Sequence, residues 1–128
     1  MLYALLCYNS EEVVFSWSKA HDDAVMAKLN LVHEKLAAQN KLGPSLRLVP
    51  TTAATTLRKT SEPPLVIDGP FAETKEQLLG FYVIDCEDLE GALGVARELA
   101  VANPGGAYEI RPVHFFQPGT LPQGTVAG

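Results

Sequence analysis

The sequence is poor in cysteine, in histidine pairs and in glycine-rich loops. Its two cysteines, Cys7 and Cys86, lie far apart and show no Cys-x-x-Cys spacing, so neither a zinc site nor a disulfide framework is predicted. The three histidines form no His-x-His or i,i+4 pair, which argues against a metal site. Because a phosphate loop and a dinucleotide fingerprint are also absent, no cofactor is expected.

Positive charge is scattered along the chain and is not gathered in one segment. The 10 Lys and Arg residues are outnumbered by 15 Asp and Glu residues, for a formal net charge of −5. Proteins that bind nucleic acid or anionic membranes carry basic patches, so neither partner is expected. The apolar start at residues 1–8 is too short for a signal peptide or a membrane span, and a cytoplasmic location is predicted.

Hydrophobic periodicity predicts strands and two helices in a single domain over residues 1–116, followed by a loose tail over 117–128. A helix is predicted over Lys19–Gln39, with Gly43-Pro44 marking its end, and a second over Leu89–Ala102, capped by Asp88. Strands are predicted at residues 2–8, 46–49, 54–59, 65–67, 80–85 and 108–113. This order predicts an α+β fold, a ferredoxin-like βαββαβ sandwich with an additional central hairpin.

The strongest predicted strand is apolar on both faces. Phe81 and Val83 alternate with Tyr82 and Ile84, and all four side chains are apolar or aromatic. Two helices cover only one face of a sheet, so the other face would expose a large apolar patch. A second copy of the chain, packed sheet to sheet, is the simplest cover, and a homodimer through the sheet face is predicted.

The segment Asp68–Gln77, with the sequence DGPFAETKEQ, is the most unusual stretch of the chain. It places four charged residues and a rigid Gly-Pro turn between two apolar strands. Asp68, Glu73 and Glu76, with Lys75 among them, form either an acid/base cluster, in which each charge changes the pKa of its neighbours, or a solvated charged loop. Both interpretations stay open on the sequence alone.

These residues, followed by Gly-Phe-Tyr at 80–82, resemble the signature of the YCII-related, or DGPF-domain, family. Two further stretches, Thr-Thr-Leu-Arg at 55–58 and Glu-Ile-Arg-Pro-Val at 109–113, resemble strands of the same family. The resemblance covers about residues 1–115 and implies a dimeric ferredoxin-like α+β barrel. Family members are largely uncharacterised, and many are found beside extracytoplasmic-function sigma factors. The resemblance therefore implies a ligand-binding or regulatory dimer linked to stress or sigma-factor signalling.

The resemblance also implies an aspartate and a histidine near the dimer cleft. Asp68 stands at the family's aspartate and is the first candidate for an acid/base or ligand-binding role. The family's histidine position falls near Leu29. His33 lies one helical turn later on the same face and is the candidate to replace it, with a structural histidine as the alternative.

Arg58 and Arg111 lie on predicted strands that a ferredoxin-like sheet would bring near Asp68. Because a guanidinium binds a carboxylate or phosphate through two parallel hydrogen bonds, these arginines, with Glu73 and Lys75, are predicted to bind a small anionic ligand. Ion pairs between the arginines and glutamates are the alternative. The second function that stays open is a cofactor-independent small-molecule enzyme with Asp68 as general acid or base.

Overall fold

The computed structural model describes residues 1–122 and contains three α-helices and six strands. The helices are α1 (Glu11–Val14), α2 (Lys19–Ala38) and α3 (Leu89–Ala102). The strands are β1 (Leu2–Asn9), β2 (Leu42–Arg47), β3 (Thr55–Arg58), β4 (Leu65–Asp68), β5 (Gln77–Asp85) and β6 (Ala107–Pro112). The α+β class and the order of elements confirm the prediction, and the short helix α1 is an addition to it.

Four strands form one antiparallel sheet in the order β2-β5-β1-β6. This order is the one that a ferredoxin-like βαββαβ chain produces, with its first and third strands in the centre. The remaining two strands, β3 and β4, pair only with each other, and we call them the hairpin. The hairpin is inserted between the edge strand β2 and the central strand β5, as predicted.

The hydrophobic core lies between the sheet and the two long helices. Leu5 of β1, Ile84 of β5, Leu36 of α2 and Leu99 of α3 are its largest fully buried side chains. Burying one such side chain contributes about 1.5–3 kcal/mol to folding. Tyr3 and Leu5 belong to this core, so alternate residues of β1 define the helix-facing side of the sheet.

Local signals explain where α2 begins. The side chain of Ser18 accepts a hydrogen bond from the backbone N–H of His21 at 3.1 Å, which caps the helix. Three apolar residues recur on one face and are buried against the sheet. They are Val25, Leu29 and Leu36.

The end of α2 corrects one prediction. The helix stops at Ala38, because Asn40 adopts a positive φ of 56° and the N–H of Lys41 bonds the Leu36 carbonyl at 2.9 Å. Strand β2 then starts at Leu42, so Gly43-Pro44 lies within the strand and does not mark the helix end. A proline is tolerated there because β2 is an edge strand, where one side of the backbone needs no partner.

The bounds predicted for α3 are confirmed. Asp88 has extended backbone angles, and its Oδ1 accepts a hydrogen bond from the N–H of Gly91 at 2.9 Å. This contact satisfies one of the four free N–H groups at the start of the helix. One face of α3 is buried in the core beside α2, and its residues are Ala92, Val95, Ala96, Leu99 and Ala102.

The hairpin leaves most of its apolar surface in solvent. All four residues of β4 are exposed, and Val66 among them is 64% exposed. Two hydrogen bonds close its open end, because the Gly69 N–H donates to the Ala54 carbonyl at 2.8 Å and the Gly69 carbonyl accepts from Thr56 Oγ1 at 2.9 Å. The φ of 115° at Gly69 is one that glycine adopts far more easily than other residues.

Residues 117–122 contain no helix or strand, and residues 123–128 of the predicted tail lie outside the described residues. The loose tail over 117–128 stays a prediction. None of the helices in the described part of the chain is long and apolar enough to cross a membrane. Within residues 1–122, no three His, Cys, Asp or Glu side chains form a group suited to hold a metal ion.

Candidate functional site

A cavity of about 250 Å³ lies between α2 and the helix-facing side of the sheet. Its floor is one row of residues that are adjacent in register across all four strands: Arg47 on β2, Gly80 on β5, Cys7 on β1 and Tyr108 on β6. The cavity therefore crosses the full width of the sheet. We refer to this space simply as the cavity below.

The roof and the mouth of the cavity are mainly apolar. Val25, Met26 and Leu29 face it from α2, and Phe15 and Trp17 line it from the segment that leads into that helix. Because the apolar side chains greatly outnumber the charged ones, the lining has the character of a small-molecule site, although its volume is at the low end for such sites.

Gly80 keeps the floor open. A Cβ built on Gly80 would lie well under 3.0 Å from the Leu46 carbonyl oxygen and 3.1 Å from the Arg47 Cα. The backbones of β2 and β5 therefore approach each other at a point where only glycine fits. The absence of a side chain there also leaves space between Arg47 and Cys7.

His33 and Tyr82 form the central polar contact of the site. His33 Nε2 and Tyr82 Oη are 2.8 Å apart, and the two rings are tilted with their centroids 5.3 Å apart. Burial lowers the pKa of His33. Burial also raises the pKa of Tyr82 to about 12, with a smaller contribution from the nearby Cys7. Near neutral pH the pair is therefore an uncharged imidazole beside a protonated hydroxyl.

Two residues of the floor, Cys7 and Tyr108, are also held in their neutral forms. Burial raises the pKa of the Cys7 thiol to about 11, and it raises the pKa of Tyr108 as well. A thiol with such a pKa carries almost no thiolate near pH 7, so Cys7 is a poor nucleophile. The middle of the cavity thus offers neutral hydrogen-bonding groups and no reactive anion.

The only lysine or arginine among the described residues that line the cavity is Arg47. Its Nη1 lies 3.5 Å from the Met26 sulfur, which is a weak acceptor. Its Nη2 is 3.9 Å from a carboxylate oxygen of Asp22, beyond hydrogen-bonding distance. Much of the donor capacity of this guanidinium is therefore left for other acceptors.

Asn103, at the C-terminal end of α3, lines the opposite end of the cavity. Its Oδ1 is inaccessible to solvent and has no hydrogen-bond partner within residues 1–122. Because a buried acceptor without a partner costs about 1–3 kcal/mol, such atoms are rare in folded proteins.

The structure brings together only part of the predicted site. His33 and Leu29 both line the cavity, so the prediction that they share one face of the helix is confirmed. Asp68 and Arg58 lie on the hairpin, where Arg58 is stacked 4.7 Å from the centre of the Phe71 ring. Neither is among the residues that line the cavity.

The other predicted ligands also lie away from the cavity. Glu73 and Lys75 are exposed in the segment between the hairpin and β5. Arg111 pairs with Ala4, which alternates with the core residues Tyr3 and Leu5, so it lies on the face of the sheet turned away from the helices. Their predicted role in binding an anion stays a prediction.

Three residues of the site were missed by reasoning from the sequence: Arg47, Tyr82 and Asn103. The alternation in β5 separated Tyr82 from Phe81, but it did not indicate which of the two faces the helices. Arg47 and Asn103 are 56 residues apart, and no local pattern links an edge strand to a helix end. Arg47 lies within the strand predicted at residues 46–49, and a lone arginine in that short apolar strand was the available signal.

The topology and the cavity define a ferredoxin-like α+β domain with a neutral, mostly apolar pocket under its first long helix. The family model described as YCII-related domain matches residues 1–117, and the chain belongs to this family. The chain is also 58% identical over 123 residues to the uncharacterized protein R00369 of Rhizobium meliloti (strain 1021). That match covers 95% of this chain and 99% of the relative. The resemblance to the YCII-related family is thereby confirmed.

The lowered pKa of His33 predicts that the protein loses stability on acidification. The folded chain keeps the imidazole neutral, while the unfolded chain protonates it near its ordinary value of 6.5. Below that pH the unfolded state binds more protons, so the free energy of unfolding falls as pH decreases. Between about pH 7.5 and 5.5, the melting temperature of the unmodified protein is expected to drop more than that of His33→Gln, whose side chain at position 33 does not titrate. Identical pH profiles for the two proteins would contradict this assignment.

Proposed function

We propose that this protein binds a small, mainly apolar organic molecule in the cavity between α2 and the sheet. The observation that carries the proposal is the His33–Tyr82 pair, held at 2.8 Å in neutral form beside a mainly apolar lining. A few oriented polar groups in an apolar pocket are the usual features of a ligand site. The regulatory role implied by the resemblance fits this proposal, since a bound metabolite is what a sensor detects.

The single tryptophan of the chain offers a direct test, because Trp17 lines the cavity. A small aromatic probe such as 4-methylphenol is expected to change the Trp17 fluorescence in a saturable manner. Leu29→Phe adds volume inside the cavity and is expected to weaken binding at least tenfold. Leu31→Phe is the matched control, since Leu31 is 68% exposed on the same helix.

The proposal is wrong if 4-methylphenol and related aromatic probes cause no saturable change in the unmodified protein. It is also wrong if Leu29→Phe and Leu31→Phe bind equally well, because the signal would then arise outside the cavity. Calorimetry on the same proteins provides an independent measure of the dissociation constant.

A cofactor-independent acid/base reaction is the second candidate, and the neutral imidazole of His33 supports it. A general base must be unprotonated near the working pH and within reach of the substrate proton, and His33 meets the first condition. Asp68, predicted as the acid or base, lies on the hairpin and is not among the residues that line the cavity. Asp68→Asn in the binding assay tests its part, and unchanged binding per folded molecule would leave it a structural residue of the hairpin.

The predicted homodimer through the sheet face is supported by the surface that the helices leave uncovered. Both long helices pack on the side that carries Tyr3 and Leu5. The opposite side, which we call the outer face, is formed by the alternate residues of the same strands. Its apolar members that are at least partly exposed include Leu2, Ala4, Leu6, Leu46 and Phe81. A second copy placed there would bury this apolar area.

Light scattering at micromolar concentration is expected to give twice the mass of one chain. Leu46→Asp places a charge on the outer face beside Phe81 and is expected to shift the mass toward the monomer. Leu31→Asp, at an exposed position of α2, should leave the dimer intact. A monomeric unmodified protein at this concentration would refute the dimer.

A further inference from the structure

We infer that the ligand of the cavity is an organic acid that lies across the sheet, with its carboxylate at Arg47 and a hydroxyl or other hydrogen-bond donor at Asn103. This inference rests on the proposed function and specifies the class of molecule that the cavity takes. It follows from two polar groups at opposite ends of the cavity that the protein itself leaves poorly satisfied.

The first group is the guanidinium of Arg47 at the β2 end of the cavity. A guanidinium carries five N–H donors in a planar fork that matches the two oxygens of a carboxylate. Within residues 1–122 this fork meets the Met26 sulfur at 3.5 Å and the Asp22 carboxylate at 3.9 Å. A bound carboxylate would therefore offer Arg47 closer acceptors than the protein provides.

The carboxylate of Asp22 affects how strongly the cavity prefers an acid over an uncharged ligand. Its carboxylate lies near the same guanidinium, so an incoming anion has to tolerate or displace it. The side chains of Asp22 and Arg47 are 41% and 59% exposed, and solvent screens the repulsion as well as the attraction. Removing the charge of Asp22 should accordingly tighten the binding of an acid.

The second group is the amide oxygen of Asn103 at the β6 end. It is buried, it accepts no hydrogen bond from residues 1–122, and it belongs to a residue that lines the cavity. An O–H or N–H at that end of a ligand would satisfy it. Because satisfying a buried acceptor is worth more than a hydrogen bond in water, the donor contributes to specificity.

The width of the floor limits the length of the ligand. The floor runs from Arg47 through Gly80 and Cys7 to Tyr108, which are neighbours on four strands. Three spacings of about 4.8 Å put the backbones of Arg47 and Tyr108 about 14 Å apart. An aromatic ring with a short acid chain on one side and a hydroxyl on the other fits this span, and the apolar residues of α2 cover the ring.

Three probes separate the contributions of the two ends: 3-(4-hydroxyphenyl)propionate, its uncharged amide, and 3-phenylpropionate, which lacks the hydroxyl. Their dissociation constants are measured by calorimetry with the full chain. The acid is expected to bind about tenfold more tightly than the amide, and the hydroxyl to contribute severalfold.

Variants at each end of the cavity then test which part of the ligand that end binds. Arg47→Gln should remove the preference for the acid over the amide, whereas Arg97→Gln, at an exposed position of α3, should retain it. Asp22→Asn should strengthen acid binding and leave the amide unaffected. Asn103→Ala should make the hydroxylated and unhydroxylated acids bind alike.

The possible failures are distinguishable. If the amide binds the unmodified protein as tightly as the acid, the inference is overturned, while binding in the cavity still stands. If none of the three probes nor 4-methylphenol binds, the proposed function itself fails. The comparison of acid with amide needs no variant, so it remains decisive even if a substituted chain does not fold.

Discussion

Gly80→Ala is expected to lower the free energy of unfolding by about 3 kcal/mol and to move Arg47 away from the β2 end of the cavity. The added Cβ would meet the backbone of Leu46 and Arg47, which cannot move aside as a flexible side chain can. Strand β2 would have to move away from β5, and Arg47 would leave its place at the end of the floor. Chemical denaturation measures the loss of stability, and the acid probes measure the loss of the Arg47 contact.

Gly94→Ala is the matched control for this prediction. Gly94 lies inside α3, where nothing is within 4 Å of an added Cβ. The same substitution there is expected to stabilise the protein by about 0.5–1 kcal/mol, because alanine favours the helix over the unfolded chain. If the two variants had similar stabilities, the close approach of β2 to β5 would not be what requires glycine at position 80.

Leu36→Ala is expected to lower the free energy of unfolding by about 2–5 kcal/mol. Leu36 is 1% exposed, at the end of α2 where the helix packs on the core, and its carbonyl also accepts the bond that ends the helix. The substitution removes buried methyl groups and leaves a space that the surrounding side chains fill only partly. Since His33 lies one turn earlier on α2, the roof of the cavity should become less ordered.

Leu31→Ala on the same helix is the control, and it is expected to change stability by about 0.5 kcal/mol or less. Leu31 is 68% exposed, so its truncation removes little surface from the core. Urea denaturation of the two variants measures both values under the same conditions. A small effect at Leu36 would contradict its place in the core, and a large one at Leu31 would show that this face of α2 is covered in solution.

Some elements of the fold follow from the sequence because their signals are local. Asp88 was predicted to cap α3, and its side chain does accept the N–H of Gly91. Apolar residues recur at three- and four-residue steps along Val25, Met26, Leu29, Val32 and Leu36, which predicts α2, and three of the five are buried in the structure. Caps and periodicity depend on residues within a few positions of each other, so they can be recognised without knowing the fold.

The start of β2 could not be predicted in this manner. Gly43-Pro44 is a strong turn signal, yet these residues extend along the edge of the sheet. What decides their conformation is the pairing of Leu42 with Ile84, a contact with a distant strand that overrides the local preference. Helix α1, whose N-cap is Ser10, was not recognised for a different reason, because its four residues are too few to show a periodic pattern.

The charged segment after Asp68 shows the limit of a conspicuous motif. It led to the correct family, but its side chains are exposed and lie outside the lining of the cavity. A signature can mark a family through the turn that it forms, as Gly69 does here with its φ of 115°. The residues that enclose the cavity are individually ordinary and are spread along the chain.

The sequence by itself determined the class of fold, the extent of the two long helices, the family, and the place of His33 on the same face as Leu29. Only the tertiary structure decided that Arg47, Gly80, Cys7 and Tyr108 form one row, and that His33 meets a tyrosine 49 residues away. The physical reason is that strand register is a long-range property. A shift of one residue turns every side chain to the other face, and only the packing of the whole core selects the register that opens the cavity.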